Sequence, residues 1–165
     1  MAAKAVVGIL MGSDSDLPVM QEAADILKKF GVPYEMTVSS AHRTPARTAK
    51  YARSAEGRGI KIIIAGAGSA AHLAGFIAAE TTLPVIGVPI DAGPLKGLDA
   101  LLSTVQMPGG VPVASMAIGK AGAKNAGVFA AEVLALFDEA LAGKIKEYRK
   151  EMVKQVEQKA RKIQG

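Results

Sequence analysis

Cysteine and tryptophan are absent from this 165-residue chain, and histidine occurs only twice. The lack of cysteine excludes disulfides, thiolate chemistry and Cys-bound metal sites. His42 and His72 stand far apart in sequence with no thiol beside them, a poor ligand set, so no metal is expected. Aromatic residues are scarce, four Phe and three Tyr, while Ala and Gly crowd Ala65–Ala79 and Ala114–Ala135. Stretches so rich in small residues let backbones approach closely, as in tightly packed helices or subunit contacts. No apolar run reaches the roughly 18 residues of a membrane span, and the N-terminus lacks the charge-then-apolar order of a secretory leader. The expected setting is the cytoplasm, with no membrane partner. Three motifs are missing as well: the G-x-S-x-G nucleophile elbow, the H-E-x-x-H zinc helix and the G-x-x-x-x-G-K-[ST] phosphate loop.

Charge is present but confined. The net charge is +5, and the segment Lys144–Gly165 carries all of it, with eight Lys/Arg against three Glu. A basic helix can attract nucleic acid or anionic lipid. The tail, however, carries Ile145, Tyr148, Met152, Val156 and Ile163 at helical spacing. Such a stripe suits packing on a protein body or a sister subunit, and nucleic acid is not an expected partner.

The rest of the chain alternates strands with helices. Strands are expected at Lys4–Leu10, Tyr34–Val38, Ile60–Ala65, Pro84–Val88 and Val113–Ile118; runs such as "KIIIA" and "PVIGV" are continuously apolar, as doubly covered strands are. The first helix shows a stripe of Leu17, Met20, Ala24 and Leu27, with Ser and Asp ahead as caps and Gly31 beyond its end. Pro45–Arg58 repeats the scheme, with Thr44 as N-cap and Gly59 as stop. Further helices are expected at Ala70–Glu80 and Gly97–Thr104, and a nearly all-apolar one at Ala123–Leu141, which suits burial against another chain. Alternation at this spacing means βαβ units and a parallel sheet. The expected fold is one α/β domain, residues 1–165. Its core, about 1–142, is a three-layer doubly wound, flavodoxin-like parallel sheet, and a C-terminal helical extension occupies about 143–165.

Open parallel sheets bind ligands beyond the carboxyl ends of their strands. The segments expected there are "MGSDSD" (Met11–Asp16), "SSAHRT" (Ser39–Thr44), "AGAGSAAH" (Ala65–His72) and "PIDAGPLKG" (Pro89–Gly97). In "GSDSD", the run Ser13–Asp16 reads either as simple helix capping or as a phosphate-binding helix start; one cap needs one such residue, and there are four in a row. His42 reads as a polar surface residue or as a proton carrier, and Arg43 as an ion-pair partner or as a planar fork for phosphate. "AGAGSAAH" fits G-x-G-x-x-A, with Asp91 ending the next strand, which leaves an NAD-type dinucleotide domain as an alternative. That motif follows the third strand instead of the first, which weighs against it.

With these elbows in view, "MGSDSD", "SSAHRTP", "IIIAGAGSAAHLAG", "LPVIGVPI" and "GLDALLSTVQMPGGVPVASMAIGKAGAKNA" closely resemble the PurE family of purine biosynthesis, from about Val6 to Leu141. The resemblance implies a mutase that moves a carboxylate from exocyclic nitrogen to ring carbon of an imidazole ribonucleotide, with no metal, ATP or organic cofactor. It implies a homo-octamer whose sites draw on more than one subunit. It places phosphate and ribose contacts on Ser13, Asp16, Ser40 and Arg43, the catalytic histidine on His42 and a second active-site histidine on His72. Backbone of Ala67 and Gly68 would lie against the imidazole, and Gln106–Pro112 resembles a loop near the site. A sister class, a carboxylase using carbon dioxide directly, lacks the histidine of "AGAGSAAHLAG", so His72 sides with the mutase. The chain departs from the mutase pattern at Ala74, usually Pro, at Ser69, usually Gly, and at Asp91–Pro94.

Overall fold

The computed structural model describes residues 4–164; Gly165, the end of the expected tail, lies outside them. Five parallel strands form one sheet in the order β2-β1-β3-β4-β5: β1 Val7–Met11, β2 Tyr34–Val38, β3 Ile62–Gly68, β4 Val85–Ile90 and β5 Ala114–Ser115. Between them run α1 Leu17–Phe30, α2 Pro45–Arg58, α3 Leu73–Glu80, α4 Leu98–Val105 and, after β5, α5 Lys120–Ala135 and α6 Glu139–Gln164. This is the flavodoxin-like arrangement expected. The chain divides into two compact units, with the boundary between Ala130 and Ala131.

In the first unit, strand alternation decides what covers each face of the sheet. Leu10, Ile63 and Ala65 join Ala52 and Ala55 of α2 and Leu73, Ala74 and Ile77 of α3 in one buried cluster. Thr104 of α4 meets Gly87 of β4 on that same side, next to Ala74. Gly66 points the other way and makes room for Met20 of α1, whose Sδ a Cβ there would strike; Gly127 of α5 lies against Ala23 and Ile26 of α1. The glycines Gly31 and Gly59 stop α1 and α2 in left-handed conformation, at φ 75° and 99°.

Several boundaries differ from expectation. β3 runs on to Gly68, because its ladder with β4 continues to the pair Gly68–Ile90. β5 is shorter than Val113–Ile118, since only Ala114 and Ser115 pair with β4. Thr44 takes the N-cap position of α2, but its hydroxyl does not cap the helix; it accepts from Ser40 N–H at 3.0 Å and donates to Ser40 C=O at 2.9 Å.

In the second unit, the single helix expected over Ala123–Leu141 is broken. Leu136, Phe137 and Asp138 donate to carbonyls three residues back, tightening the end of α5. Asp138 then accepts the Leu141 N–H at 3.0 Å and starts α6. Arg149 pairs with Glu132 at 2.9 Å. The tail stripe is covered only at its start: Ile145 is buried, whereas Val156 and Ile163 are exposed.

A polar knot holds α2 on the sheet. Tyr51 donates to Glu35 Oε1 at 2.7 Å, Arg58 pairs with the same oxygen, and the Arg58 guanidinium lies 4.6 Å from the Tyr51 ring centroid. Burial pushes the Glu35 carboxyl up, but the bonds from Arg58 and Tyr51 together outweigh it and hold it below its ordinary value. The phenol fits only because position 8 is glycine: a Cβ there would run into its oxygen. Gly8→Ala is therefore expected to destabilise the protein by about 1–3 kcal/mol, with part of the loss restored by adding Tyr51→Phe. Urea denaturation of the two variants checks this; additive losses would contradict it.

Candidate active site

The strand order reverses around β1, so the loops after β1, β2 and β3 open at one edge of the sheet, the place where such folds bind ligands. There they enclose a cavity of about 400 Å³. Its walls include Ser13, Asp16, Ser40, His42, Arg43, Ala67, Gly68 and His72, all eight residues singled out from the sequence.

The first loop is a tight polar turn. Ser13 is extended and caps a short 3-10 turn, Asp14–Asp16: its hydroxyl accepts the Ser15 N–H, while Asp16 Oδ2 accepts the Ser13 N–H at 3.0 Å. Asp16 is thereby drawn inward to 6 % exposure. Burial pushes its carboxyl above the ordinary value; the N–H groups of Ser13 and Gly12 oppose that, and Arg43 adds a smaller opposing pull. Gly12 lies beside Asp16 and Ala67 in the cavity wall.

The second loop is tied to the first, with Ser39 N–H donating to Met11 C=O at 2.8 Å. Beneath it, the buried hydroxyls of Ser39 and Thr48 meet at 2.7 Å and fix the start of α2. Ser40 and Thr44 close the turn, and the Ser40 hydroxyl accepts the Arg43 N–H at 3.2 Å. This closed turn presents His42 and Arg43 outward. Among the described residues Arg43 has no carboxylate partner, and its guanidinium reaches only Gly12 C=O at 3.4 Å. An ion-pair role for Arg43 is thus not what the structure displays.

The third loop supplies Ala67, Gly68 and His72. Ser69 holds a left-handed backbone, φ 53°, a conformation that suits glycine better than serine and stores local strain beside the cavity. His72 begins α3 without capping it. Its Nδ1 lies 2.7 Å from His42 Nε2, with the rings at 87° to each other and their centroids 5.0 Å apart. A nitrogen–nitrogen hydrogen bond needs one N–H and one lone pair. One N–H therefore lies between the two facing nitrogens, donated by either ring.

Ser69, where the chain departs from the family pattern, also lines the cavity, as do Ser15, Ala41, Ala70, Leu73 and Ala92, which the sequence does not single out. Of the fourth loop only Ala92 reaches it. Asp91, the acid that a dinucleotide site would aim at ribose, lies instead against the turn at Gly119. Gln106–Pro112 is not part of the cavity wall either; Met107 packs near Gly75 of α3. Among the described residues, no group of three or more His, Asp or Glu is placed to hold a metal ion.

Fold and site together define an enzyme of the open parallel-sheet type, built around a small polar cavity that combines a hydrogen-bonded histidine pair with a guanidinium that has no carboxylate partner among the described residues. A family model described as AIR carboxylase matches residues 6–155. The N5-carboxyaminoimidazole ribonucleotide mutase of Thermotoga maritima is 58% identical over 158 residues, covering 96% of this chain and 91% of that protein. The protein of the same name from Bacillus subtilis is 61% identical over 150 residues, covering 91% and 92%. The crystal structure of Treponema denticola PurE superposes with a TM-score of 0.86 at 29% identity, covering 96% of this chain and 98% of that one. The chain belongs to the AIR carboxylase family.

Asp16 yields a prediction with a defined sign. Because its carboxyl is raised in the folded protein, ionisation opposes folding; the favourable contribution exists at low pH and is lost as pH rises through the folded value. Asn keeps an acceptor for the Ser13 N–H and carries no charge. Asp16→Asn should accordingly melt a few degrees higher at about pH 8, with the gain fading toward about pH 4. A lower melting temperature at the higher pH would contradict the assignment.

Proposed function

We propose that this enzyme is an N5-carboxyaminoimidazole ribonucleotide mutase, shifting the carboxylate from the exocyclic nitrogen to a ring carbon. The observation that carries the reading is the His42–His72 contact on the rim of a small-walled cavity, beside Arg43. Relatives bearing that name match along most of the chain.

The reaction breaks an N–C bond and forms a C–C bond. The departing carboxylate leaves as carbon dioxide, and the exocyclic nitrogen takes up a proton. The ring carbon then attacks the carbon dioxide and loses its own proton to restore aromaticity. One proton enters and one leaves, so a single acid/base serves both steps, and His42 takes that role. His72 supports it by offering a lone pair or an N–H at 2.7 Å, a resting place for the proton between steps. Arg43, Ser13 and Ser40 hold the phosphate, and Asp16 accepts from the ribose hydroxyls. Remote binding thus fixes the imidazole over Ala67 and Gly68 within reach of His42. The small wall around Ala67–Ala71 keeps carbon dioxide close to the ring, which makes its recapture a proximity effect.

The enzyme acts in the cytoplasm as a homo-octamer in this reading. Leu98, Leu102 and Val105 form an exposed stripe on α4, with Leu95 just ahead of it, and Phe137 is 92% exposed. Surfaces of this kind call for a partner.

The test is direct. Metal-stripped protein, without ATP, biotin or NAD, should interconvert the N-carboxylated and ring-carboxylated ribonucleotides, and His42→Gln should lower turnover by about two orders of magnitude or more. Faster reaction of the uncarboxylated ribonucleotide with carbon dioxide would make the protein a carboxylase. Near-normal turnover of His42→Gln would remove His42 from its role.

A further inference from the structure

A second hollow of about 510 Å³ adjoins the active-site cavity and shares Gly12, Ser13, Ser40 and Arg43 with it. Its remaining wall includes Asp14, Thr44 and Arg47. Arg43 stands at the junction, and Arg47 follows one turn later, in the first turn of α2. We propose that Arg47 is a second guanidinium for the phosphate end of the ribonucleotide, an inference that rests on the reading of this site as a ribonucleotide site.

Three observations carry it. First, among the described residues neither Arg43 nor Arg47 pairs with a carboxylate; Arg47 donates only to Thr37 Oγ1 at 3.0 Å. Asp14, the acid nearest in the wall, is engaged locally, accepting from the Ser13 hydroxyl and the Ser15 N–H at 3.1 Å each. Second, the first turn of α2 contains no acidic residue. A cation at a helix N-terminus is opposed by the helix dipole, so Arg47 stands there at a cost to the helix, and an anion in the hollow offsets that cost. Third, a phosphate monoester carries a charge of about −1.5 to −2 at neutral pH. Arg43 alone neutralises about half of that, and a second fork completes the match.

Arg47 is exposed and lines the second hollow, whereas His42 and His72 line the first, so it affects how the substrate is held and attracted, and the chemical step is left to His42. The hollow also gives the phosphate a route in: an anion drawn first to Arg47 meets Arg43 next and carries the ring toward the histidines.

Binding of ribose 5-phosphate is the probe, measured by calorimetry for the wild type, Arg47→Gln and Thr37→Val, alongside mutase kinetics. Arg47→Gln should weaken ribose 5-phosphate by about tenfold and raise KM similarly with kcat within about twofold, and it should flatten the salt dependence of kcat/KM. Thr37→Val removes the acceptor and leaves the charge, so it should bind ribose 5-phosphate as the wild type does. The proposal is overturned if Arg47→Gln binds this probe as the wild type does, or if Thr37→Val reproduces its loss, which would make Arg47 an anchor for β2. Arg47-dependent binding without any mutase turnover would overturn the functional reading and leave the anion site standing. Normal turnover with an unaffected KM in Arg47→Gln would overturn the anion site alone.

Discussion

Two imidazoles whose facing nitrogens lie 2.7 Å apart can share one proton and no more. That constraint fixes the pair as one donor and one acceptor, each the other's partner. A carboxylate migration needs that balance, since its proton count closes on itself and calls for no net donor or acceptor. Everything around the pair serves to keep the rings where they meet. The Ser40–Thr44 turn is closed by side-chain bonds at both ends, which fixes His42 from below. The left-handed backbone of Ser69 turns the third loop so that His72 starts α3 facing the second loop.

The layers beneath explain why two residues from separate loops can be held so closely. β2 and β3 flank β1, and their registers with it run from Val7 on both sides. β1 and β2 therefore end level, at the pair Met11–Val38, while β3 runs two residues further to Gly68, and the three loops open at the same edge. Gly66 admits Met20 and Gly8 admits Tyr51, so α1 and α2 press onto the sheet more closely than any side chain at those positions would allow. The Tyr51–Glu35–Arg58 knot ties the body of α2 to β2. From there the helix start, with Arg43 and Arg47 beside it, is carried as a unit.

Much of this was legible in the residues. A parallel sheet sends every βα loop to one edge, so Ser, Asp, His and Gly placed after apolar runs converge without any knowledge of side-chain angles. The first three loops do meet at one cavity, and the resemblance to the PurE family is what narrowed them to the eight residues found in its wall. It did not reveal that His42 and His72 touch, because this depends on rotamers and on β2 and β3 lying on either side of β1. Arg47 was passed over because it sits within a helical pattern where an arginine looks like an ordinary solvated side chain. The break after Ala135 escaped notice because Leu136 and Phe137 continue the apolar run, and only Asp138, by capping Leu141, marks the new start. Thr44 was read as a cap on residue type alone; its hydroxyl had a nearer partner in Ser40. The shortness of β5 reflects where its partner strand stops pairing, which is a property of the neighbour.

Because the chain has only two histidines, four ring nitrogens make up the whole imidazole signal. Nitrogen-resolved NMR of histidine-labelled protein at about pH 7 therefore tests the central claim most directly. A through-hydrogen-bond coupling between His42 Nε2 and His72 Nδ1 is expected, one nitrogen carrying the hydrogen and the other accepting it, and it should disappear in His72→Asn. Two uncoupled rings, each with its own mixture of tautomers and unaffected by loss of the other, would contradict it.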